Sequence, residues 1–121
     1  MRFPLARLGA ALLGLALPTL AAPTLAQARP ADCLMTVQGK TYIQGSCNFD
    51  ADPDGSFRLL GQRFFAYVTV VSPGLAEASW NGTVAASHAQ EPLGELRRNG
   101  ACWQSATVRL CAWAPGTRPR G

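Results

Sequence analysis

After residue 30 the chain sets apolar against polar positions in short runs, broken every few residues by Gly, Pro or Asn, and no stretch carries a helical period. Alternation with a period of two is what a half-buried strand produces, so the pattern predicts strands. The runs fall at residues 34–38, 41–44, 57–60, 63–71, 75–80, 83–88, 93–98, 101–104 and 107–113. Gly39-Lys40 and Gly61-Gln62 separate two pairs of them as Gly-first loops of the type II′ hairpin. Asn81-Gly82 and Asn99-Gly100 separate two more and suit type I′ turns, in which both central residues take positive φ. Ser72-Pro73-Gly74 supplies a further turn. The expected fold class is all-β: a small antiparallel meander of about eight short strands, closed as a barrel or stacked as a sandwich.

Two runs carry more detail. Residues 63–71 (RFFAYVTVV) are apolar at both parities, which predicts a central strand covered on both faces. Trp80 shares its parity with Ala76 and Ala78, a face of small residues on which one large ring can pack.

The first residues read differently. Arg2 and Arg7 precede a ten-residue apolar run, LGAALLGLAL, then Pro18 and the small-x-small triplet Ala26-Gln27-Ala28. This is the layout of a cleaved export signal, residues 1–28, and the run is shorter than the ~20 apolar residues that cross a bilayer. No later segment approaches that length, so the mature chain is expected to hold no integral membrane span. Cleavage reduces the 121 residues to a β domain at residues 29–113 and a basic, disordered tail at 114–121. It also takes two of the eleven basic residues, leaving nine against seven acidic ones, and the net charge falls from +4 to +2. That excess is too small to mark a nucleic-acid binder. Ten arginines to one lysine suggest a bacterial genome; in a eukaryotic secretory pathway Asn81-Gly82-Thr83 would be a glycosylation sequon.

Four cysteines, at positions 33, 47, 102 and 111, in a short exported chain imply a disulfide framework. Three pairings are possible. With Gly39-Lys40 as the first loop, Cys33 would face Ser46, and a bulge at Gly45 would bring it opposite Cys47. That register favours Cys33–Cys47 with Cys102–Cys111 over the two crossed pairings. Zinc would require a Cys-x-x-Cys pair or several histidines, and the chain has neither.

Chemistry-bearing candidates are few. Asp50, Asp52 and Asp54 with Gly55 occupy relative positions one, three, five and six of an EF-hand-type calcium loop, which is a candidate weak calcium site and the one cofactor expectation. Arg58 and Gly61 stand where that loop type supplies its later ligands, and the competing reading is a solvated acidic turn. No nucleophile elbow, HExxH or phosphate loop occurs, and His88, the lone histidine, is expected on a loop or the surface. The chain is therefore not expected to be an enzyme and has no catalytic candidates. For binding, Trp103 and Trp113 are candidate aromatic anchors, while Arg97 and Arg98 head a basic group that includes Arg109, Arg118 and Arg120.

The segments 80–89, Leu93-Gly94-Glu95-Leu96, Gly100-Ala101-Cys102-Trp103, Leu110-Cys111-Ala112-Trp113 and 33–49 resemble those of a group of small exported proteobacterial proteins without assigned activity. The resemblance implies an extracytoplasmic compartment, periplasmic or secreted, and β architecture, and it implies no active site. The leading functional expectation is a binding or inhibitor-type module that meets a protein or an envelope glycan through loops. Inhibition of host lysozyme, with residues 50–54 entering a basic cleft, would be one form of it. The alternative is a structural envelope protein with a weak calcium loop, and a small hydrolase comes third.

Overall fold

A computed structural model describes residues 28–120; the expected leader lies outside the described residues except for Ala28. Eight strands follow one another as β1 (Arg29–Val37), β2 (Lys40–Ala51), β3 (Phe57–Leu60), β4 (Phe65–Ser72), β5 (Leu75–Trp80), β6 (Glu91–Asn99), β7 (Cys102–Gln104) and β8 (Val108–Trp113). Each pairs antiparallel with the next, and β1 also pairs with β8, from Asp32 opposite Trp113 to Val37 opposite Val108. The meander is thus closed as a barrel and not stacked as a sandwich, and among the described residues closure leaves no sheet edge to template aggregation.

Alternation decides what fills it. Ala31, Cys33 and Met35 of β1 point inward, as do Ile43 and Cys47, Phe57 and Leu59, Ala66 and Val68, Ala76, Ala78 and Trp80, Leu96, Trp103, and Val108 and Leu110. An eight-stranded barrel is just wide enough for such side chains to fill it. Met35, Leu59, Leu96 and Leu110 are wholly buried, each contributing about 1.5–3 kcal/mol. Trp80 enters past Ala76 and Ala78 as expected, and its ring meets Tyr42 at 4.6 Å and Phe64 at 5.7 Å. These three rings plug one end of the barrel.

The disulfides are Cys33–Cys47 and Cys102–Cys111. Their positions differ in kind. Cys102 and Cys111 face one another across β7 and β8 on the outside of the barrel, under Leu34 and Trp113. Cys33 and Cys47 belong to the interior and are offset: Cys33 faces Gly45, and Cys47 faces Ala31.

Several local expectations are corrected. The first hairpin turns at Gln38-Gly39, both at positive φ, instead of Gly39-Lys40. Its irregularity lies at Tyr42, between the Met35–Ile43 and Thr36–Thr41 pairs, and not at Gly45. Gly45 is still needed for its backbone: its φ is 101°, although a Cβ there would meet nothing within 4 Å. The β3–β4 connection is four residues long, closed by Gly61 N–H donating to Phe64 O at 2.9 Å. In β6–β7, Asn99 pairs with Cys102, so Gly100-Ala101 forms the turn.

Residues 83–88 form no strand. They belong to a ten-residue loop, 81–90, because the Asn81 side chain is used for something other than a tight turn. Its Oδ1 accepts from Phe65 N–H at 3.1 Å, and its Nδ2 donates to Arg63 O and Thr83 O at 3.0 and 2.9 Å. Asn81 is 5% exposed, and it clasps the end of β5 to the start of β4. The face of β4 carrying Tyr67 and Val71, expected to be covered, is open, at 43% and 55% exposure, since a single closed sheet has no second layer to cover it. Residues 114–120, the expected disordered tail, are described: Thr117 N–H donates to Ala114 O at 3.0 Å, and Arg118 lies over Trp113 and 3.8 Å from Asp32.

Candidate functional site

The end opposite the aromatic plug is a cup of about 650 Å³. Three turns make its lip: Asp54-Gly55 after β2, Pro73-Gly74 after β4 and Gly100-Ala101 after β6. The two ends of the closing pair complete it, Arg29 to Ala31 on one side and Ala112 to Pro115 on the other. Phe49, Phe57, Val70 and Trp103 line the interior; Trp113 and Arg98 reach it from the rim. Phe49 and Phe57 pack at 5.1 Å, and Trp103 is 8% exposed.

The lip is tied together by the backbone. Arg98 N–H donates to Gly74 O at 3.0 Å, which joins β6 to the β4–β5 turn. Ala112 N–H donates to Ala101 O at 3.1 Å, which joins β8 to the β6–β7 turn. Pro73-Gly74 is the Pro-Gly pair of a type II turn, with Gly74 at φ 75°. Ser56 pins the remaining lobe: its hydroxyl accepts from Val70 N–H at 2.9 Å, and its own N–H donates to Asp54 Oδ1 at 2.9 Å. The cup is therefore preformed, and a ligand entering it orders little that is not already ordered.

Asp50, Asp52 and Asp54 are not brought together. Arg58, facing Asp50 across β2 and β3, donates from Nε to Asp50 Oδ2 at 3.0 Å and takes Asp52 in a two-point grip at 3.1 and 3.3 Å. Asp52 chiefly, then Asp50, hold the guanidinium above its usual range, so it stays charged at any working pH. Asp54 turns away to the Ser56 N–H, which holds its carboxyl below the usual 3.8. Among the described residues no group of three or more His, Cys, Asp or Glu gathers in a way that could hold a metal.

The binding candidates divide. Trp103, Trp113 and Arg98 line the cup, and the Arg98 guanidinium stands 5.9 Å from the Trp103 ring with its Nε donating to Gly100 O at 3.1 Å. Arg97 points the other way, as its neighbour in a strand must, and meets Glu95 at 3.7 Å on the surface. Arg118 is held by Asp32. His88 is exposed in the 81–90 loop at the far end. Sequence reasoning missed Arg29, Phe49 and Phe57, whose part in the site follows from barrel closure; the parity of Phe49 with Cys47 was the available signal.

A second recess, about 520 Å³, lies at the plugged end between Lys40, Tyr42, Trp80 and Glu91. Among the described residues no helix is long and apolar enough to cross a membrane. No family model, curated protein or solved structure matches this chain.

Proposed function

We propose that the protein is an exported binding module that receives its ligand in the cup and does no chemistry on it. The observation that carries this is the preformed, aromatic-lined opening of about 650 Å³ at one end of a barrel held by two disulfides. Its volume lies in the range of small-ligand sites, roughly 300–1,000 Å³. The leader-like residues 1–28 and the disulfides support a periplasmic or secreted location. His88, the lone histidine, stands at the other end, which supports binding over turnover. The two-carboxylate grip of Arg58 weighs against the calcium-loop alternative, because an ion would have to displace it.

Glycan and peptide arrays probed with three folded proteins test this reading: the wild type, Ala112→Trp, which fills the cup, and Val84→Asp, which alters an exposed residue of the far loop. Saturable binding that is lost in the first variant and kept in the second is the expected result. Binding indifferent to Ala112→Trp contradicts it.

A further inference from the structure

We infer that the cup takes a small amphiphilic anion, a carboxylate on an apolar body, with the body against Phe57 and Trp103 and the charged end at Arg29 and Arg98. This rests on the binding reading above and adds the chemical class of the ligand. The cup is graded in polarity: Phe57 and Trp103 are buried in it, while Arg29 and Arg98 are exposed on its lip. Such an arrangement matches a molecule that is apolar at one end and charged at the other.

The sign of that charge follows from the pairing of the arginines. Arg58 is held by Asp50 and Asp52, Arg97 by Glu95 and Arg118 by Asp32. Among the described residues neither Arg29 nor Arg98 has a carboxylate partner; Arg63, Arg109 and Arg120 share that state but do not line the cup. Arg98 is also prepared for a ligand. Its Nε bond to Gly100 O and its place over the Trp103 ring fix the planar group, while no hydrogen bond within the described residues engages its terminal nitrogens. A planar fork of N–H donors fits a carboxylate in two-point geometry. Asp54, the acid on the lip, has Oδ1 committed to Ser56 N–H, and set against Arg29 and Arg98 it leaves the lining with one net positive charge.

Calorimetric titration at low ionic strength with octanoate, octanol and octylammonium separates charge from apolar burial, since the three share one tail. Octanoate is expected to bind about fivefold tighter than octanol and about twentyfold tighter than octylammonium, the scale of one or two partly exposed ion pairs. Arg98→Gln, checked for an unchanged fold by circular dichroism, should reduce the preference for octanoate over octanol by about fivefold. Ala112→Trp should abolish binding of all three. Equal affinities for the three, or a preference for octylammonium, overturn the anion assignment while loss in Ala112→Trp keeps the cup as a site. Failure of all three to bind overturns the amphiphile class alone. Binding that survives Ala112→Trp overturns both readings.

Discussion

Arg58 of β3 stands directly opposite Asp50 of β2 and donates to it at 3.0 Å, while its other two nitrogens grip Asp52 from the same side. The cluster is about one-quarter to two-fifths exposed, so its net worth is that of a partly screened network and not of a buried one. Removing the cation leaves two adjacent carboxylates, one of which, Asp50, already has a buried Oδ1 without a partner. Arg58→Gln is expected to lower stability by about 1–2 kcal/mol in urea melts at low salt, with a smaller loss at high salt. A variant as stable as the wild type at low salt would contradict this.

The Asp54 carboxyl makes a separate, pH-dependent contribution. Its folded-state pKa is depressed, chiefly by the Ser56 N–H, so its stabilisation is present above the ordinary value of 3.8 and is lost as pH falls through the depressed value. Asn at this position keeps an acceptor and removes the charge. The melting temperature of Asp54→Asn should therefore lie below that of the wild type near neutrality and converge on it in acid. A gap that stays constant through the acid range would show that the charge is not the cause.

The two disulfides should not be equivalent. They close short loops, with sequence separations of 14 and 9, worth about 3 and about 2.5 kcal/mol in the chain-entropy account. Cys33 and Cys47 also fill the interior, whereas Cys102 and Cys111 lie on the outer face. Both pairs are buried, but a cavity in the barrel interior, packed all round, collapses less than one beneath Leu34 and Trp113 on the outside, so Cys33→Ala with Cys47→Ala should cost more than Cys102→Ala with Cys111→Ala. Denaturant melts of the two double variants decide the order, and the reverse order would sink the assignment of faces.

Asn81 is expected to be the most sensitive polar position. Asn81→Ala removes the partner of the part-buried Phe65 N–H and Arg63 O at once and should cost about 1–2 kcal/mol. The same contacts bear on the Asn81-Gly82-Thr83 sequon, because the amide nitrogen that a glycan would occupy is already donating twice. Expression through a eukaryotic secretory pathway should yield folded protein without a glycan at Asn81. A folded, fully glycosylated product would contradict the clasp.

Much of this barrel can be read from local chemistry. Alternation placed Ala76, Ala78 and Trp80 on one inward face, and the Cys33–Cys47 pairing holds although the register that favoured it does not, since Cys33 lies opposite Gly45. The turns were placed to within a residue or so, since the Gly of a Gln38-Gly39 or a Gly100-Ala101 pair marks a reversal without saying which side of it joins the loop. Asn81-Gly82 misled because a buried Asn amide can serve tertiary contacts as well as a turn, and the one large apolar side chain of residues 83–88, Val84, is exposed and holds no strand to the core. Pairing of β1 with β8 is a contact between chain ends that no local pattern encodes. It is also what assembles the cup, so Trp103, Trp113 and Arg98 could be named as candidates while Arg29, Phe49 and Phe57 could not.

The central claim is that ligand enters this end of the barrel, and a chemical-shift map made by adding octanoate to isotopically labelled protein tests it most directly. The indole N–H groups of Trp103 and Trp113 and the amides of Gly55, Gly74 and Gly100 are predicted to shift and saturate together, while the Trp80 indole at the plugged end stays in place. Shifts centred on Trp80, Tyr42 and Glu91, or spread evenly over the barrel, would contradict it.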